Sequence, residues 1–110
     1  MPFRAILRTL VDVHAPVRGA IFCDYEGERV DAACGAGLTP FDLDVRGATY
    51  AKIAADVPTG GRLRVVEDEN TIWLLVVDRG YYLVVVCEPA RDFEIHSDLV
   101  AAALAILAHM

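Results

Sequence analysis

The stretch from Arg62 to Cys87 limits what this chain can fold into more than any other. Three runs rich in β-branched and aromatic residues, Arg62 to Glu67, Thr71 to Val77 and Tyr81 to Cys87, are separated only by Asp68-Glu69-Asn70 and by Asp78-Arg79-Gly80. Such runs with such short punctuation form a three-stranded meander, with Asn70 and Gly80 expected to supply the positive φ angles of tight turns. The second and third runs do not alternate. Ile72 to Val77 and Tyr82 to Val86 are apolar on both faces, so each needs cover on both sides from helices, another sheet or a partner. The first run sets Arg62, Arg64 and Glu67 among Leu63, Val65 and Val66, a mixture that suits an edge strand whose charges discourage indiscriminate pairing.

The flanking segments supply the cover. Phe3, Ile6, Leu7, Leu10, Val11 and His14 recur at three-and-four spacing with Arg4, Arg8 and Asp12 between them, the pattern of a helix that buries one stripe and stops before Pro16. Val17 to Asp24, a turn at Glu26-Gly27, and Arg29 to Cys34 read as a β-hairpin, with Val30 and Ala32 alternating against Asp31 and Ala33. After Gly35-Ala36-Gly37, Thr39-Pro40-Phe41-Asp42 has the makings of a helix start, Thr39 as cap and Asp42 as its return partner. At about 100° per residue, Leu43, Gly47, Tyr50, Ile53, Ala54 and Val57 share one face of this second helix and Val45, Ala48, Lys52 and Ala55 the other. Both faces are rather apolar, which suits the close approach of another helix, although alanine is also simply a good helix former. Pro58 to Gly61 ends it. Beyond a loop at Glu88 to Asp92, Ile95, Leu99, Ala102, Ala103, Ile106 and Met110 mark a last helix, widened by Val100, Leu104 and Leu107. The order is αββαβββα.

At 110 residues and 55% hydrophobic content, the chain fits one domain, spanning 1–110, with a real core. A net charge of -6 argues against a nucleic-acid-binding surface, which depends on clustered Lys and Arg. The final apolar stretch is shorter than the roughly 20 residues a membrane-spanning helix needs, and the amino terminus has no continuous apolar signal centre, so a cytoplasmic protein is expected. Cys23, Cys34 and Cys87 show no paired spacing, and His14, His96 and His109 lie far apart, so neither a zinc site nor any other cofactor is expected. The three cysteines sit in strands expected to be buried, where a thiol is inert; a small enzyme using one of them is the reading of another class. Gly35-x-Gly37 and Gly60-Gly61 lack the residues of a phosphate loop. Asp24, Glu26, Glu28 and Asp31 surround a turn, where their expected role is solubility. Trp73, Tyr81 and Tyr82 are expected to fill the core.

With its elements placed, the chain resembles the roadblock family, the dynein light chain roadblock type, over essentially its whole length. The resemblance rests on the element order, on Gly19-Ala20-Ile21-Phe22 entering the first strand, on the Asp24-Tyr25-Glu26-Gly27 turn, and on the small-residue run Gly47-Ala48-Thr49-Tyr50-Ala51. Phe3-Arg4 and Leu43-Asp44-Val45-Arg46-Gly47-Ala48 look most like bacterial members that work beside Ras-like GTPases in motility and cell polarity. The resemblance implies an α+β fold, a five-stranded antiparallel sheet with the first and last helices on one face and the second on the other. It also implies a non-catalytic homodimer that pairs its third strands and packs its second helices, with Leu63, Val65, Val45, Ala48, Lys52 and Ala55 at the interface. Proline at Val65 is then expected to remove an edge hydrogen bond. The implied partners are a Ras-like GTPase or a second roadblock protein; a scaffold touching no GTPase is the alternative. Arg46 and Arg91 are the arginines considered for a GTPase-activating role.

Overall fold

The meander forms as the turn chemistry requires. In the computed structural model, which describes residues 2–13, 16–35, 37–89 and 96–110 and the side chains of all of these but Pro2 and His96, the elements run α1 (Pro2–Val13), β1 (Val17–Cys23), β2 (Arg29–Cys34), α2 (Pro40–Thr49), α3 (Ala51–Ala55), β3 (Arg62–Val66), β4 (Thr71–Asp78), β5 (Tyr81–Cys87) and α4 (His96–Leu107). The strands make one antiparallel sheet in the order β2-β1-β5-β4-β3. This is an α+β architecture, and β3 is an edge as its charges foretold. Arg79 and Gly80, with φ of 52° and 82°, turn β4 into β5; two left-handed residues give a turn whose twist matches that of the strands. Asn70 does not share this conformation. The β3–β4 turn closes through Glu67 N–H donating to Asn70 O at 2.8 Å, and the buried Asn70 side chain instead accepts from Arg18 Nη1 at 2.8 Å.

Helices of the same chain cover both faces of the meander. Leu75, Val77, Leu83, Val85 and Cys87 point to one side, where Leu7, Leu10 and Val11 of α1 and Leu99, Ala102 and Ile106 of α4 close over them. Ile72, Leu74, Val76, Tyr82, Val84 and Val86 point to the other, under Leu43, Tyr50 and Ala54 of the α2–α3 segment. Successive strand residues face opposite ways, so a run apolar at every position records a strand covered twice. From Tyr82 to Cys87 each residue of β5 is 0% exposed.

α2 opens with the expected cap. Thr39 Oγ1 accepts from Asp42 N–H at 3.2 Å and Asp42 Oδ2 accepts from Thr39 N–H at 2.9 Å. The second helix does not run through as one piece. Tyr50 leaves helical geometry with φ -93° and ψ 3°, its ring buried and its hydroxyl bound to Glu67, and the chain resumes as the short α3. Ile53, assigned to the inner face of a continuous helix, is 38% exposed after this break.

Several side chains depart from expectation. Asp31 is not a solvated turn residue: it is 5% exposed and accepts from Arg4 Nε at 2.9 Å, because its position on β2 points under α1. Asp24 does serve its turn, accepting from the N–H groups of Glu26 and Glu28 at 2.9 and 3.0 Å. Tyr82 is wholly buried, whereas Trp73 and Tyr81 are only half-buried and pack against the α1–α4 core from its margin. Cys34 is half-exposed near the outer end of β2. His14, Ala36, Arg91, Ile95 and the end of the 88–92 loop lie outside the described residues.

Candidate assembly interface

α2 lies across β1 and β2, and α3 reaches β4. Close packing beneath α2 depends on Gly47, where a Cβ would stand 2.6 Å from Cys23 Sγ. The Tyr82 hydroxyl, fully buried in the sheet, donates to Gly47 O at 2.5 Å. These contacts fix the rotation of α2 and thereby decide which residues point outward. Outward are Phe41 (73% exposed), Val45 (44% exposed) and Ala48, with Lys52 and Ala55 exposed beyond the break. Phe41, Val45 and Ala48 follow the i, i+4, i+7 spacing of a single helical stripe, and Lys52 lies beyond the break at Tyr50. The spacing could have revealed Phe41, but its place in the first turn made it look like part of the helix start.

β3 contributes the second half of the surface. Leu63 and Val65 pair with Leu74 and Ile72, so they stand on the sheet face that α2 and α3 cover. Leu63 is 37% exposed and Val65 is half-buried. Antiparallel pairs alternate between bonded and non-bonded. Glu67 donates to Asn70 O and Val76 to Gly61 O, which makes Leu63–Leu74 and Val65–Ile72 the bonded pairs. The N–H of Val65 therefore points to β4, and proline there would break the protomer's own ladder. The outward N–H groups belong to Arg62, Arg64 and Val66, and Arg64→Pro is the substitution that removes a bond from the free edge.

A polar clamp ties the two halves together. Glu67, just beyond β3, accepts from Arg46 Nη2 at 3.1 Å through Oε1 and from the Tyr50 hydroxyl at 2.5 Å through Oε2. Arg46 Nη1 also donates to Asp42 O at 3.3 Å. Burial, reinforced by the Glu67 carboxylate, pushes the Tyr50 phenol up to about 12, so the phenol keeps the proton it donates. The clamp went unread in the sequence because its members lie 17 and 21 residues apart.

The thiols are arranged for packing. Burial pushes Cys23 and Cys87 up to about 12, and burial also raises Cys34. A thiol nucleophile needs the opposite shift. Among the described residues no three His, Cys, Asp or Glu side chains converge on a common point, and no helix is long and apolar enough to cross a membrane.

No family model matches the chain, and no curated protein matches it. Solved structures do. A roadblock/LC7 domain from Streptomyces avermitilis superposes with a TM-score of 0.80 at 14% identity, covering 96% of this chain and 95% of that one. The chain has the roadblock/LC7 fold. MglC from Myxococcus xanthus shares the roadblock fold with a TM-score of 0.76 at 20% identity over 100% of both chains. The gliding protein MglB from Thermus thermophilus matches with a TM-score of 0.80 at 13% identity, covering 97% of this chain and 87% of that one. The likeness thus spans nearly the whole length of the chain.

Proposed function

We propose that this protein is a non-catalytic dimeric adaptor of roadblock type, which pairs β3 with β3 of a second copy, sets its α2 stripe against that of its mate, and presents the composite surface to a Ras-like GTPase or a second roadblock protein in the cytoplasm. The observation that carries the reading is the apolar stripe Phe41, Val45 and Ala48 left outward on α2, in a fold where the free edge β3 turns Leu63 and Val65 to the same face of the sheet. A twofold axis makes such a surface self-complementary. The likeness to MglB and MglC, one of them described as a gliding protein, supports a role in motility or polarity.

Within this reading Arg46 favours an adaptor over an activator. An arginine that stabilises transferred phosphoryl charge must reach out of its own protein, and Arg46 is engaged by Glu67 and Asp42 O. The test is a pull-down from the native host followed by single-turnover GTP hydrolysis with any GTPase recovered. Recovery of a GTPase whose rate is unchanged by this protein is the expected result. Recovery of neither a GTPase nor another roadblock protein overturns the proposal.

A further inference from the structure

β2 ends the sheet on the side away from β3. At 6 and 5 residues the two strands offer edges of similar length, but the edges are finished differently. β3 keeps an unbroken register along β4 from Arg62 to Val66. The pairing of β2 with β1 shifts between Phe22 and Cys23, which sit opposite Asp31 and Arg29 and leave Val30 as an extra residue. A bulge of this kind twists an edge away from an approaching strand.

The outward backbone groups of β2 follow from its ladder. Gly35 N–H donates to Arg18 O at 2.7 Å, which makes Ala20–Ala33 and Phe22–Asp31 the bonded pairs of this register. The N–H and C=O groups of Ala32 and Cys34 therefore point away from β1, toward any strand that would join. One group on each residue is already engaged: Ala32 N–H donates to Asp31 Oδ1 at 2.9 Å, and Cys34 O accepts from Arg8 Nη1 at 2.9 Å.

Each of these side chains is itself anchored by α1. Asp31 is 5% exposed, and its Oδ1 also accepts from Arg4 Nε at 2.9 Å. Arg8 donates through Nε and Nη2 to Asp12 Oδ1 at 3.3 and 3.0 Å, which holds the guanidinium beside the end of β2. An antiparallel neighbour exchanges both an N–H and a C=O with every residue it bonds. With one group of each already engaged, neither Ala32 nor Cys34 can complete such a pair, and the Arg8 guanidinium stands where an incoming N–H would have to sit.

We propose that β2 is an edge held shut by its own side chains, Asp31 on the Ala32 N–H and Arg8 on the Cys34 carbonyl, so that a strand from a second copy of the chain cannot join there. What this does for assembly rests on the β3 pairing proposed above: a dimer joined through β3 has a β2 edge at each end, and closing both confines the sheet to two protomers where open edges would build a filament. The closure itself does not depend on that pairing.

The test opens the edge. Arg8→Ala and Asp31→Ala are combined in the unmodified chain and in the Arg64→Pro chain, whose β3 edge is blocked, and sedimentation velocity compares each with its parent. Removing Asp31 strands no buried charge, because the Arg4 side chain that it binds is 70% exposed. In the Arg64→Pro background the opened edge should raise the weight-average mass about twofold, since a single open edge per chain allows one twofold pair. In the unmodified background the mass should rise further and keep rising with concentration. Adding Cys34→Pro, which removes an outward N–H from the same edge, should return both to the parental mass. Arg8→Ala alone, a change at an exposed residue of α1, should give a smaller rise in the same direction, and it decides the matter if the double variant loses its circular dichroism. Masses that stay at the parental value, or a rise that Cys34→Pro does not reverse, overturn the proposal. An Arg64→Pro parent that is already a dimer contradicts the β3 pairing instead, and the difference between opened and closed edge still reads the closure.

Discussion

α1 turns Leu7, Leu10 and Val11 into the sheet and faces solvent with charges that find partners, Arg4 with Asp31 at 2.9 Å and Arg8 with Asp12 at 3.0 Å. α2, on the opposite face, turns Leu43 and Gly47 inward and leaves Phe41, Val45 and Ala48 outward. Both helices bury one stripe, but only α1 has a polar outer surface suited to water. An exposed pair such as Arg8–Asp12 stabilises little; its significance is that α1 needs nothing further on that side. Scattered exposed apolar residues are ordinary. A stripe of them on a helix whose rotation is pinned by Gly47 and Tyr82 is what supports the proposed role of this face as a partner surface.

The largest effect that sharpens this contrast lies on the inner face of α2. Leu43 is 0% exposed, and Leu43→Ala should lower the unfolding free energy by about 2 to 5 kcal/mol. Val45→Ala, two residues away, should change it by no more than about 0.5 kcal/mol at protein concentrations low enough to give monomer. Urea titration of both variants settles the point, and similar losses would erase the distinction between the faces. Gly47→Ala comes next: with the new Cβ 2.6 Å from Cys23 Sγ, overpacking should cost about 1 to 3 kcal/mol. Adding Cys23→Ala should recover part of that loss, a coupling visible in a double-mutant cycle. Tyr82→Phe removes the donor to the Gly47 carbonyl and should cost about 1 kcal/mol.

The smallest effect at neutral pH is the titration of the buried thiols beneath α2 and α4. Free thiols lose their protons near 9.0, and in the folded chain Cys23 and Cys87 hold theirs up to about 12. Between those values the unfolded chain binds fewer protons, so stability falls as pH rises. Below 9.0 the full contribution is present. Thermal melts from neutral to alkaline pH should show a decline that the Cys23→Ala, Cys87→Ala double variant lacks. A thiol reagent applied to the native protein should label Cys34 first.

Much of this was legible in the residues. Alternation, its absence in β4 and β5, and the Thr39–Asp42 cap are local patterns, and they placed the sheet, its edge and the start of α2 correctly. The errors came where distant parts of the chain decide. Asp31 looked like a solvated turn acid because Arg4, 27 residues earlier, is what makes its burial tolerable. Asn70 resembled a left-handed turn residue until Arg18 claimed its side chain. The break at Tyr50 comes with a hydrogen bond from its hydroxyl to Glu67, beyond the next strand. The direction of the Val65 N–H follows from the register of β3 on β4, which no composition encodes. Trp73 was placed in the core by its type; at the margin, half-buried, its truncation to alanine should cost less than the roughly 3 to 5 kcal/mol of a fully packed indole.

The claim that the outer stripe of α2 and the free edge of β3 are one interface is tested most directly by sedimentation equilibrium of the unmodified chain beside Ala48→Glu and Arg64→Pro. Ala48→Glu places two like charges near the twofold axis, and Arg64→Pro removes an outward N–H from the edge at a position where a strand tolerates proline. The unmodified chain should sediment as a dimer, and each variant should shift toward the monomer with its circular dichroism unchanged. A monomeric unmodified chain, or dimers that survive both substitutions, would contradict the account.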